Sequence, residues 1–130
     1  MELISTKICL ASDIGIHNNM FGGTLMASID EAAAAYAAQI CKTPRMVTVL
    51  VESLIFKKPI KIGNIIKIYG KPVKIGRTSI TLYIEVRKMN VYTSDYEIVT
   101  HTNIKFVRIG DNDNAIPLDT EIKTLYEFEE

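Results

Sequence analysis

The chain has 130 residues, 48% of them hydrophobic and 23% charged, with Lys plus Arg equal to Asp plus Glu at 15 each. That length suits one domain with a real core and leaves no room for two of ordinary size, and the composition excludes a disordered or fibrous chain. The balanced charge gives no reason to expect nucleic acid or an anionic membrane surface as partner, and no run approaches the ~20 apolar residues of a spanning helix. The two cysteines, Cys9 and Cys41, are too few for a disulfide framework and sit in apolar surroundings, as reduced core thiols do. The N-terminus lacks a basic region followed by a long apolar run, so no signal peptide is expected and a cytoplasmic protein is the default reading.

In chain order, Leu3 to Ala11 reads as a first strand and Ser12 to Phe21 as a loop rich in Asp, Gly, His and Asn. A helix is predicted from about Gly22 to Cys41, because Leu25, Ile29, Ala33, Tyr36 and Ile40 recur at the three- and four-residue spacing of one helical face. Lys42-Thr43-Pro44 stops it, since the residue before proline is pushed out of the helical region. Gly22 and Gly23 open this helix, and its first N–H groups have no intrahelical partners, so they can hold a developing negative charge. Asp30 follows Gly23 by seven residues, ~10 Å along the axis. The pattern is that of an oxyanion-binding turn with a nearby acid.

From Met46 the period changes to two. Met46 to Phe56 is a β-branched run, apolar on nearly both faces, which predicts a central strand covered on both sides. Lys57-Lys58-Pro59 ends it, and Asn64 to Lys74 makes the next strand, with Lys74-Ile75-Gly76-Arg77 as its turn. Thr78 to Lys88 alternates, with Ile80, Leu82, Ile84 and Val86 facing one way and Thr81, Tyr83, Glu85 and Arg87 the other. Tyr96 to Ile109 is the last long strand. The organisation predicted is a single domain over 1–110 and a polar C-terminal segment over 111–130.

One long helix and about five strands, most of them after it, give an α+β domain rather than the alternating pattern of a parallel sheet. A helix of ~30 Å could be wrapped by a curled antiparallel sheet, and Ala32 to Ala35, Ala37 and Ala38 would let that sheet come close. A bare sheet edge would invite pairing, so dimerisation through an edge is expected.

These residues resemble the hotdog-fold acyl-CoA thioesterases, most closely the small bacterial hexameric type. Phe21-Gly22-Gly23, Leu25-Met26 and Asp30 reproduce that family's helix-opening motif. Val47-Thr48-Val49 through Phe56, then Pro59, Gly63 and Asn64, resemble its next strand and turn, with Asn where Asp is usual; Gly76-Arg77-Thr78-Ser79-Ile80 and Ile84-Glu85-Val86 resemble the segment after it. The resemblance implies a hotdog fold and hydrolysis of an acyl-CoA thioester to a free acid and CoA, without metal or redox cofactor. It implies Asp30 as the catalytic carboxylate, activating water or attacking the carbonyl, and backbone N–H groups at Gly22 and Gly23 as the oxyanion hole. Gly76, Arg77, Thr78 and Ser79 would lie by the CoA channel, with Arg77 and Lys58 as phosphate contacts. At least a homodimer is implied, and by the hexameric relatives a trimer of dimers. The chain departs from the family where relatives carry Asn six residues before Phe21 and Gly three before it; here those positions are Gly15 and Asn18. A small loop shift could let Asn18, Asn19 or His17 take the missing role, and Asn18 is counted with Asp30, Gly22 and Gly23 as a candidate catalytic residue.

Blander readings stand beside these. Asp30 could be a solvated helix carboxylate, Gly22-Gly23 a simple turn, and the lysines solvated strand ends. His101 falls in a strand, and no His, Cys or acidic cluster has zinc-like spacing. Two rival functions remain: a non-catalytic acyl-CoA binder, and a hotdog hydroxyacyl dehydratase using His17 and Glu31, which are fourteen residues apart as in that family.

Overall fold

The computed structural model describes residues 1–126. The alanine-rich segment folds as one 20-residue helix, α1 (Gly22–Cys41), closed by Lys42 in the left-handed region with its N–H donating to the Ala38 carbonyl. Five strands surround it: β1 (Glu2–Ile8), β2 (Met46–Val51), β3 (Ile65–Ile75), β4 (Ser79–Met89) and β5 (Tyr96–Arg108). They form a single antiparallel sheet in the order β1-β3-β4-β5-β2, and α1 packs against all five. This is the α+β hotdog arrangement expected. No helix among the described residues is long and apolar enough to cross a membrane.

The core lies where the two periodicities meet. Leu25, Ile29, Ala33, Tyr36 and Ile40 of α1 are all buried, against Ile80, Leu82, Ile84 and Val86 of β4, which are completely so. Alternation along β4 therefore predicted its inner face correctly. On the outer face Glu85 is also buried, under its own neighbours. Burial would raise its carboxyl, but hydrogen bonds from Arg87 Nε (2.6 Å) and the Tyr83 hydroxyl (2.8 Å) more than offset this and hold it below the usual range.

Two strand predictions are corrected. β1 ends at Ile8 because the Cys9 N–H turns to the Asn64 carbonyl and residues Ala11–Asp13 make a 3₁₀ turn, with Asp13 accepting from the Leu10 N–H. β2 ends at Val51, not Phe56, and it is an edge strand, not a central one. Its register slips between Thr48 and Leu50, and beyond Val51 the chain keeps only two scattered backbone–backbone bonds to β5, Glu52 N–H to the Asn103 carbonyl and Lys57 N–H to the Val99 carbonyl. The apolar residues that suggested cover on both sides, among them Val49 and Leu50, are about half exposed in one chain.

The segment after residue 110 contains a short helix, α2 (Thr120–Leu125), and it packs on the domain through Leu118 and Ile122; residues 127–130 lie outside the described ones. Arg108 donates to the Pro117 carbonyl at 2.9 Å, and the Leu118 N–H donates to the Arg77 carbonyl. Ile122 is fully buried. Ile122→Ala should therefore cost about 2–4 kcal/mol, read as a lower urea midpoint; a midpoint equal to wild type would mean that this segment contributes nothing to the core.

Candidate functional site

Asp30 projects from the exposed side of α1 toward β2, where the Thr48 hydroxyl donates to its Oδ1 at 2.7 Å. The two residues face each other because Thr48 pairs with Phe106 on the helix-facing side of the sheet. They share a recess of about 230 Å³ with Met26, Ala27, Ile29, Val51, Leu54 and Ile104, so the carboxylate stands at the wall of an apolar hollow. Thr48 was not singled out from the sequence. The signal that could have found it is the single hydroxyl in the otherwise apolar stretch Met46–Val51, on the alternation that faces the helix.

Gly22 and Gly23 are the first two helical residues, and no side chain caps α1. The N–H groups of Gly22, Gly23 and Thr24 thus have no intrahelical partner. Both glycines have ordinary helical backbones rather than a sharp bend, and their value lies in close approach. A side chain at Gly22 would meet the Phe56 ring at 3.3 Å and one at Gly23 the Phe21 ring at 3.0 Å. A second hollow of about 450 Å³ opens at this helix end, lined by Gly22, Asn19, Phe56 and Lys58 among others. Lys58 is therefore near the helix N-terminus.

The loop before α1 holds Asn18 in the left-handed region at the tip of a turn, bonded from its N–H to Gly15. Asn18 and His17 are exposed there, whereas Asn19 lines the hollow beside Gly22 with its side-chain oxygen taken by the Lys61 ammonium. Glu31 is exposed, and among the described residues no hydrogen bond or ion pair joins it to His17. Cys41 is buried, and burial pushes its thiol up to about 11, which keeps it protonated and a poor nucleophile. No group of His, Cys, Asp and Glu among the described residues could hold a metal ion.

Gly76, Arg77, Thr78 and Ser79 form the β3–β4 turn, closed by the Gly76 N–H on the Ser79 carbonyl. This turn lies at the opposite end of the sheet from Gly22. Ser79 pairs with Val107 on β5, while the segment beside Gly22 bonds to Val99, eight strand residues or roughly 25 Å away. One chain therefore sets Asp30 with Thr48 in one hollow and the helix opening with Lys58 in a second, two turns back along α1, and leaves the Gly76–Ser79 turn remote from both.

The chain is similar to known proteins over most of its length. The thioesterase superfamily profile matches residues 17–93. An uncharacterized acyl-CoA thioester hydrolase of Haemophilus influenzae is 32% identical over 122 residues, covering 92% of this chain and 79% of that protein. A hexameric hotdog fold thioesterase of Campylobacter jejuni superposes with a TM-score of 0.86 at 29% identity, covering 98% of each chain. An acyl-CoA hydrolase from Staphylococcus aureus, solved with butyryl coenzyme A, coenzyme A and coenzyme A disulfide, gives a TM-score of 0.80 at 28% identity, over 94% of this chain and 77% of that one. Fold, motif register and relatives agree: the chain belongs to the thioesterase superfamily, among the hotdog-fold acyl-CoA thioesterases.

Proposed function

We propose that this protein hydrolyses acyl-CoA thioesters to a free acid and CoA. The observation that carries the reading is the Asp30 carboxylate, oriented by the Thr48 hydroxyl at 2.7 Å on the wall of an apolar hollow, two turns along a helix whose glycine-opened end is uncapped. An acyl chain would occupy the apolar side of the recess. The thioester carbonyl oxygen would take the free N–H groups at Gly22 and Gly23, where negative charge develops as the carbonyl becomes tetrahedral. Asp30 would either draw a proton from the attacking water, so that the tetrahedral intermediate collapses to the acid and CoA thiolate, or attack the carbonyl itself, expelling CoA thiolate and forming an acyl anhydride that a water then hydrolyses to the acid and free Asp30. By either route the thiolate takes up a proton that the water supplies. Hydrolysis changes no oxidation state, so we propose that no cofactor takes part and that CoA enters only with the substrate.

The working unit in this reading is at least a dimer. Pairing of two β2 edges across a two-fold axis would cover Val49 and Leu50 and run the second sheet antiparallel to the first. The second copy's Gly76–Ser79 turn would then stand at the end where the first copy opens its helix, and Arg77 and Lys58 would flank one CoA. Hexameric relatives support a trimer of such dimers. Two buried cysteines without a disulfide suit a reducing compartment, so we place the enzyme in the cytoplasm.

The test is release of free thiol from a panel of acyl-CoAs. Turnover is expected, and Thr48→Val should lower kcat by about tenfold with KM little changed, the loss of one hydrogen bond to a charged group. Binding of acyl-CoA without any thiol release would instead support a non-catalytic binder, which the Gly15 departure makes the specific alternative. Dehydration of a 3-hydroxyacyl-CoA that depends on His17 would support the dehydratase.

A further inference from the structure

The outer face of the sheet, turned away from α1 and Asp30, carries a cleft of about 440 Å³. Strand register explains its chemistry. Thr81 of β4 pairs with Lys74 of β3 on one side and with Lys105 of β5 on the other, so two ammonium groups flank one hydroxyl across three adjacent strands. With strands ~4.8 Å apart, the two lysine backbones stand roughly 10 Å from each other, and their long side chains can converge on a group between them. Ser79 lies two residues along the same face and also lines the cleft. Gly76 keeps that end open: a side chain there would come within 2.9 Å of the Ser79 Oγ. Among the described residues neither Lys74 nor Lys105 has a carboxylate within ion-pairing distance. The one acid in the cleft, Glu52, is held by the Asn103 amide at 3.2 Å.

We propose that this cleft binds a phosphoryl group, with Lys74 and Lys105 supplying charge and the Thr81 and Ser79 hydroxyls supplying hydrogen bonds. Two uncompensated cations at fixed spacing around short hydroxyl donors fit a tetrahedral, multiply charged oxyanion better than a carboxylate or a neutral polar group. The chemistry has two sources, a phosphate of CoA itself or that of a separate nucleotide. The site does not depend on Asp30, which lies on the other side of the sheet.

The experiment is calorimetric titration of the assembled protein with pyrophosphate and with ADP. Saturable binding is expected, weakened about tenfold or more in Lys74→Ala/Lys105→Ala, restored in Lys74→Arg/Lys105→Arg, tightened in Glu52→Gln and unchanged in Asp30→Asn. All substituted side chains are at least partly exposed, and a retained thermal midpoint will show that the variants fold. If the alanine pair also raises KM for acyl-CoA at constant kcat, and pyrophosphate competes with substrate, CoA supplies the phosphate. If KM is unmoved while ADP binding is lost, the ligand is a separate nucleotide. No saturable binding in the wild type, or equal binding in wild type and alanine pair, would overturn the site. Either result leaves the thioesterase reading to be judged by thiol release alone.

Discussion

Asp30→Asn is expected to keep the assembled fold and to lower kcat for acyl-CoA hydrolysis by about 10²–10³-fold, within the usual contribution of a positioned acid or base. The substitution preserves shape and an acceptor for the Thr48 hydroxyl, which now donates at 2.7 Å, while removing the charge and basicity of the carboxylate. Because Asp30 is exposed in the single chain and lies outside the buried cluster, its loss should leave the denaturation midpoint within ~0.5 kcal/mol of wild type. Unchanged kcat would remove Asp30 from the mechanism, and the recess would then need another acid or base.

Val49→Lys is expected to convert the assembly to 14.6 kDa monomers and to reduce thiol release by about tenfold or more. Val49 is about half exposed, at the register slip of edge strand β2, so a lysine fits the isolated chain. Across a two-fold axis the same change sets like charges near one another in an apolar strip, which opposes pairing. Size-exclusion chromatography with light scattering reads the mass. Monomers with full turnover would show that one chain holds the whole site, and an intact assembly with full turnover would put the subunit contact elsewhere.

Most of the fold was readable from local patterns. The helical face from Leu25 to Ile40 and the alternation of Ile80 to Val86 each follow from a periodicity that a single element imposes, and both faces are buried as predicted. The β2 region failed for a physical reason. A run apolar on both faces reports that both faces leave water, and it does not say whether the cover belongs to the same chain. The predicted central strand is therefore an edge strand whose cover, in the proposed dimer, is a second copy.

The site divides along the same line. The sequence by itself determined the glycine opening of α1, the place of Asp30 on that helix and the family to which both belong, because these depend on spacing within one element. Only the tertiary structure decided that Thr48 meets Asp30 from 18 residues away, and that Gly22 and Gly23 serve the approach of Phe56 and Phe21. It also decided that the Gly76–Ser79 turn stands at the far end of the sheet and that Lys74 and Lys105 flank Thr81. Each of these is a contact or a distance between elements, and it is set by how strands register and how the helix lies across them, which no local periodicity encodes.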